Sequence, residues 1–150
     1  MTTAYDVPAD LLISKVADKL KTIEPIQEPE WGPFVKTSVF NEKAPTQEDW
    51  WFVRGAAILR KVYINGPIGT MHLRAKFCGP KDRGSKPNKV SLGGGSIIRT
   101  ALKQMEEAEL VATVKGKGRQ VTPKGRSLMD NCAYEVLQEI ISENPELGKY

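Results

Sequence analysis

The chain has 150 residues, 40% hydrophobic and 27% charged, which suffices for one domain with a buried core and is short for two. No apolar run nears the roughly 20 residues that cross a bilayer, and Met1-Thr-Thr-Ala-Tyr-Asp6 has neither the basic nor the apolar part of a signal peptide, so the chain reads as cytosolic. The net charge of +4 conceals a division: residues 51–130 hold 16 basic and 5 acidic side chains, whereas 1–50 hold 5 and 9 and 131–150 hold 1 and 4, a basic centre that points to polyanion binding.

Asp6-Val7-Pro8 reads as a helix start, with Asp6 as N-cap, and Leu11, Leu12, Val16, Leu20 and Ile23 recur at helical spacing, predicting a helix over 7–23. Pro25, Pro29, Pro33 and Pro45 then forbid a long helix, leaving a loop with short helical pieces that Trp31 and Phe34 pin to the core. Thr46-Gln-Glu-Asp49 begins a second helix, over 47–64, stopped by Asn65-Gly66-Pro67. Phe52, Gly55, Ala56, Leu59, Val62 and Tyr63 form its core face, and Trp50, Arg54, Ala57 and Lys61 the opposite stripe.

Thr70 caps a short helix over 71–77. Residues 79–95 are so rich in glycine, proline and lysine that they read as an exposed basic loop. Ser96 caps a helix over 97–108 whose apolar face is Ile97, Ile98, Ala101, Leu102, Met105 and Ala108. Leu110 to Val114, the turn Lys115-Gly-Lys-Gly118 and Arg119 to Val121 read as a hairpin. Thr122-Pro123 then caps a last helix carrying Leu128, Met129, Cys132, Ala133, Val136, Leu137, Ile140 and Ile141. Helix, basic-tipped hairpin and helix in that order form a winged-helix ending, so the fold class is mainly α: a winged-helix-like helical bundle with a β-hairpin in the C-terminal half, a single domain over 1–150.

The sequence holds no Gly-x-Ser-x-Gly elbow and no phosphate-binding loop with its Lys-Ser/Thr, and the lone His72 has no constellation around it, so no enzyme is expected. Cys78 and Cys132 lack metal-ligand spacing, and neither metal nor cofactor is expected. Four features converge on nucleic acid. On the stripe of Trp50, Arg54 and Lys61, with Arg60 at its flank, the arginines suit bidentate phosphate bonds and an exposed indole suits stacking on an unpaired base; the bland alternative buries Trp50 against the 24–46 loop. Gly93-Gly94-Gly95-Ser96 enters a helix with Arg99 and Lys103 behind it, a natural phosphate site at a helix start. The loop with Lys81, Arg83, Lys86 and Lys89 feeds into that start. The hairpin tip offers Lys115, Lys117 and Arg119, with Lys124 and Arg126 after it, suited to a sugar-phosphate backbone.

The run Asp49-Trp50-Trp51-Phe52-Val53-Arg54-Gly55-Ala56-Ala57, together with Gly95-Ser96-Ile97-Ile98-Arg99 and the wing, resembles the archaeal and eukaryotic ribosomal protein nineteen-e family, most nearly its archaeal side. The resemblance spans essentially the whole chain, through Val7-Pro8-Ala9-Asp10-Leu11, Pro29-Glu30-Trp31, Asp49 to Arg60, Tyr63 with Gly66, Gly69 and Met71, Ser96 to Glu106, and Thr122-Pro123-Lys124-Gly125. It implies a structural component of the small ribosomal subunit, in the cytoplasm, that binds ribosomal RNA and supports maturation of the subunit and its RNA. Neighbouring ribosomal proteins are implied partners, without membrane or small-molecule substrate, and the isolated chain is expected to be a monomer. The family's aromatic and basic positions fall on Trp50, Arg54, Arg60 and Arg99. Gly55 stands where alanine is expected, and Thr100 where a second basic residue would follow Arg99.

A DNA-binding winged-helix transcription regulator is the rival reading, because the stretch from Ser96 to Gly125 would look alike in one. Against it, such a regulator dimerises through a long helix, whereas the last helix here is needed to close the core. A protein-interaction scaffold using the acidic ends is a third reading.

Overall fold

The computed structural model describes residues 2–149, in which five helices dominate: α1 (Ala9–Leu20), α2 (Trp50–Asn65), α3 (Thr70–Lys76), α4 (Gly95–Glu107) and α5 (Pro123–Glu143). Two antiparallel hairpins follow α3 and α4, pairing β1 (Gly79–Arg83) with β2 (Lys86–Ser91) and β3 (Val111–Val114) with β4 (Gly118–Val121). Short 3-10 turns occupy Gly32–Phe34 and Pro145–Lys149. This is the mainly helical, winged architecture that the sequence pattern implies.

Leu12, Val16 and Leu20 bury one face of α1 against α2 and α5, and the ion pairs Lys15–Glu139 and Lys19–Glu135 run along the α1–α5 seam. Asp6 does not cap α1. Its carboxylate accepts from the Thr3 backbone N–H and hydroxyl at 2.7 and 2.8 Å, which closes a turn before the helix and lowers the Asp6 pKa; Pro8 occupies the N-cap position. Thr46 likewise lies outside α2, which Asp49 precedes without a side-chain cap and which Gly66, at φ +69°, ends.

The core face of α2 consists of Trp51, Gly55, Ala56, Ile58, Leu59 and Val62, with Phe52 and Tyr63 half-buried. Trp51 is 1% exposed and donates from Nε1 to Gln104 Oε1 at 3.0 Å; Gln104 in turn donates to the Gln27 carbonyl at 2.7 Å. The indoles of Trp31 and Trp50 meet Trp51 edge-on, with ring centroids 5.7 and 5.4 Å away, so an aromatic cluster satisfies its polar atom while joining α2, α4 and the 24–46 loop.

The expected apolar face of α4 is buried as predicted, but Ser96 is not its cap. The helix starts two residues earlier, at Gly95 with Gly94 as N-cap, and Ser96 Oγ accepts from Arg99 Nη2 at 3.2 Å. The wing pairs Val111 with Val121 and Val114 with Gly118, and the backbone of Arg119 bonds Ile68 in both directions at 2.9 Å. At the start of α5, Thr122 Oγ1 accepts from the Gly125 N–H at 3.1 Å and donates to the Glu109 carbonyl at 2.7 Å. A Cβ on Gly125 would lie 2.2 Å from the Leu110 carbonyl oxygen, so only glycine allows the wing to close on α5.

Residues 79–91 are a hairpin, where the sequence suggested a basic loop. Asp82 Oδ1 accepts from the Gly84 N–H at 2.9 Å, and Gly84 turns at φ +72°. Both strands are solvated over most of their length, with Val90 exposed, so no apolar alternation announces them.

Two outcomes follow from this packing. A Cβ on Gly55 would meet Met105 Cε at 3.4 Å and Leu20 Cδ1 at 3.5 Å, which is ordinary contact. Gly55→Ala should therefore stabilise the fold by about 0.5–1 kcal/mol through the backbone entropy of the unfolded chain, read as a raised urea midpoint; a lowered midpoint would mean that the α2–α4 contact is tighter than described. The Tyr63 hydroxyl donates to Asp130 Oδ1 at 2.7 Å, and burial, then this bond, raise its pKa from 10.0 to about 12. Because the folded value lies above the unfolded one, the stability it contributes is complete below pH 10 and is lost as pH rises toward 12. Tyr63→Phe should remove that part of the alkaline loss, as followed by denaturation at stepped pH.

Candidate nucleic-acid interface

The predicted α2 stripe divides in the structure. Trp50 is 7% exposed: its indole packs on Trp51 and donates from Nε1 to Glu28 Oε1 at 2.9 Å, so the exposed stacking platform expected from the helical wheel is instead a buried strut beneath the loop. Arg54 and Lys61, two turns apart, both lie over the ring of Phe77 at the end of α3, at 4.6 and 5.6 Å from its centroid. Burial lowers the Arg54 pKa. Arg60 is half-buried, and its Nε is shielded from solvent with no hydrogen-bond acceptor among the described residues.

Phe77 also reaches the glycine run. A Cβ on Gly93 would sit 2.9 Å from the Phe77 carbonyl oxygen, and one on Gly94 2.7 Å from the Thr37 carbonyl oxygen, which accepts the Gly94 N–H at 2.9 Å. The Gly93 N–H donates to the Arg74 carbonyl at 3.1 Å, and Ser38 bridges Gly93 in antiparallel fashion. The glycines are therefore where three chain segments meet at backbone distance. Gly95 differs, because a Cβ there would meet only the side chains of Arg99, at 2.9 Å, and Arg74, at 3.3 Å. Two guanidiniums thus flank the first turn of α4, where backbone N–H groups and the positive dipole end already favour an anion.

Beside this turn lies a cleft of ≈ 590 Å³ walled by Trp31, Val35, Lys36, Ser96, Arg99 and Lys103. A second cleft, ≈ 310 Å³, opens on the other side of the 35–47 segment and contains Lys43, Trp50 and Arg54. Lys36, Lys43 and Arg74 were missed by sequence reasoning, although Lys36 and Lys43 are the only basic residues in 24–49. Their significance is positional: a loop of acidic overall composition is folded against the basic centre.

The β1–β2 hairpin extends the same charge. Lys81 is opposite Lys89 and Arg83 opposite Lys86, so like charges share a face, an arrangement that costs stability unless an anion lies across it. Lys81 Nζ donates to the Val39 carbonyl at 3.1 Å and Arg83 Nη1 weakly to the Pro87 carbonyl at 3.4 Å, while Lys86 and Lys89 are exposed. On the wing, Lys115 and Lys117 stand exposed at the tip, but Arg119 turns inward and pairs with Glu106 at 3.7 Å. Lys124 pairs with Glu109 at 3.2 Å, and Arg126 leans over the Tyr63 ring at 5.7 Å.

Among the described residues the ion pairs engage Lys15, Lys19, Lys21, Arg119 and Lys124. None engages Arg54, Arg60, Lys61, Arg74, Lys86, Lys89, Arg99 or Lys103, so α2, α3, α4 and the first hairpin present a basic surface that the protein does not neutralise.

The sequence profile of the family described as Ribosomal protein S19e matches residues 3–139. The chain is similar to Small ribosomal subunit protein eS19 of Aeropyrum pernix, 47% identical over 100% of this chain and 99% of the relative. It is also similar to the proteins of the same name in Haloarcula marismortui, 42% identical over 100% of this chain and 99% of that one, and Entamoeba histolytica, 39% identical over 89% and 86%.

The glycine geometry has a direct consequence. Gly94→Ala drives a Cβ into a backbone carbonyl and should cost about 1–3 kcal/mol, whereas Gly95→Ala meets side chains that can swing and should cost clearly less. Chemical denaturation of the two variants side by side checks this, and equal losses would mean that the Thr37 contact is not what selects glycine.

Proposed function

The chain belongs to the ribosomal protein S19e family, and we propose that it is a structural component of the small ribosomal subunit in the cytoplasm, binding ribosomal RNA and supporting maturation of the subunit and its RNA. The observation that carries the RNA contact is the unneutralised surface formed by Arg54, Lys61, Arg74 and Arg99, to which the exposed Lys86 and Lys89 add an arm. Exposed cations that lack internal carboxylates are groups that phosphates would complete. Lys115 and Lys117 form an outlying contact, and Arg119 serves mainly to hold the wing to α4. Trp50 contributes by holding the loop from beneath.

The role is architectural, without catalysis or a small-molecule substrate, and the isolated protein is a monomer; one hydrophobic cluster shared by all five helices supports a single domain. Neighbouring ribosomal proteins are further partners. The relatives' names do not favour a DNA-binding regulator, and neither does the fold. The β1–β2 hairpin separates α3 from α4, where a helix-turn-helix reader has a short turn, and α5 buries Met129, Cys132, Ala133 and Val136 in the core instead of offering a dimer seam.

Arg99→Glu, on an exposed side chain, should leave the melting temperature unchanged, weaken binding to small-subunit ribosomal RNA and shallow its salt dependence by about one phosphate contact. Arg54→Gln should do the same with a small loss of stability from the lost Phe77 stack. Filter-binding titrations across a salt series measure both; wild-type affinity and slope in both variants would refute the proposed surface.

A further inference from the structure

Phe34 was expected to pin the loop to the core, yet it is 85% exposed, the most open of the large apolar side chains among the described residues. It is held there by a defined backbone. The Gly32 N–H donates to the Pro29 carbonyl at 2.8 Å and the Phe34 N–H to the Trp31 carbonyl at 3.2 Å, Pro33 fixes the turn, and Gly32 is pressed onto the Glu28 side chain. Val35 and Lys36, which follow Phe34 in the chain, and Trp31 at the start of the turn line the ≈ 590 Å³ cleft, while Phe34 itself stands outside that lining in solvent.

That cleft combines apolar and cationic walls. Lys36, Arg99 and Lys103 line it, no carboxylate does, and none of the three cations has an acidic partner among the described residues. Glu28 lies outside this lining, and its Oε1 accepts from the Trp50 indole N–H at 2.9 Å. Its volume falls within the range of about 300–1,000 Å³ typical of sites for small organic groups. A solvent-exposed aromatic ring one residue along the chain from a cavity lined by free cations matches a nucleotide, whose base offers a π-face and whose phosphate offers the anion. An apolar protein patch would match the ring but not the cations.

We infer that Phe34 stacks on an unpaired base of the bound RNA while Lys36, Arg99 and Lys103 hold its phosphates, so that this cleft takes a single unstacked nucleotide. The inference rests on the RNA-binding reading above and names what one part of that surface receives. Stacking is indifferent to salt, whereas phosphate contacts are not, and the two roles separate experimentally.

The test compares Phe34→Ala, Phe34→Trp and Arg99→Glu in the full chain, titrated with protein-free small-subunit ribosomal RNA over a salt series. Phe34→Ala should bind about tenfold more weakly with an unchanged salt slope and an unchanged melting temperature, since an exposed ring contributes little to folding, and Phe34→Trp should bind at least as well as wild type. If Phe34→Ala binds like wild type while Arg99→Glu is weakened, the stacked nucleotide is wrong and the RNA surface stands. If Phe34→Ala binds RNA normally but is under-represented in assembled subunits, the ring meets a protein and the inference is equally overturned. If Arg99→Glu and Arg54→Gln also leave binding unchanged, the wider reading fails with it.

Discussion

The start of α4 is held by backbone packed directly on backbone. Gly93 lies against the carbonyl of Phe77 and Gly94 against that of Thr37, and no side chain larger than hydrogen fits at either. Every part of the basic surface hangs on that junction. It carries the 35–47 segment with Lys36 and Lys43, the end of α3 with Arg74 and Phe77, and α4 with Arg99 and Lys103. Through Phe77 it also sets where Arg54 and Lys61 lie, because both cations rest on that ring. The glycine run is therefore a packing requirement first, and its availability to an anion is a consequence of the two arginines at Gly95.

Charge is divided between two sides with different uses. Along α1 and α5 the acidic residues meet lysines in exposed pairs, which are worth little individually and serve mainly solubility and register. Over α2, α4 and the first hairpin the cations are left uncompensated, and lysine faces lysine across β1 and β2. Such repulsion weakens the isolated protein slightly and is relieved only by a polyanion, so the free chain gives up some stability to the complex. The aromatic cluster of Trp31, Trp50 and Trp51 provides compensating rigidity directly beneath the surface.

The sequence revealed elements whose signals are local. Gly66 after α2, Thr122-Pro123 before α5 and the Lys115–Gly118 turn each act through their own backbone, and the α4 apolar stripe follows from helical period alone. It did not reveal what depends on which segments meet. The helical wheel correctly set Trp50 opposite the core face of α2, but a loop covers that side, and periodicity cannot locate a loop. Phe34 erred the other way, since a lone aromatic among prolines looks like an anchor. The β1–β2 hairpin carries no alternation because it buries neither face, and Asp6 and Ser96 have capping chemistry that is used elsewhere, on Thr3 and Arg99. Arg74 and Lys36 entered the site only through tertiary contact, and Arg119 left its free role because Glu106 is one helix away. The family resemblance was legible for a different reason: its motifs are spread along the chain in order and do not depend on any one element's placement.

In the proposed complex one continuous surface, assembled around the glycine junction, meets ribosomal RNA while the α1–α5 side does not. Ultraviolet crosslinking of this protein within assembled small subunits, followed by identification of the RNA-bearing peptides, tests it most directly. Crosslinks are expected in peptides spanning residues 31–45, 54–61, 74–89 and 96–103, and none in α1 or the second half of α5. Crosslinks concentrated on α1 and α5, with the glycine junction silent, would contradict it.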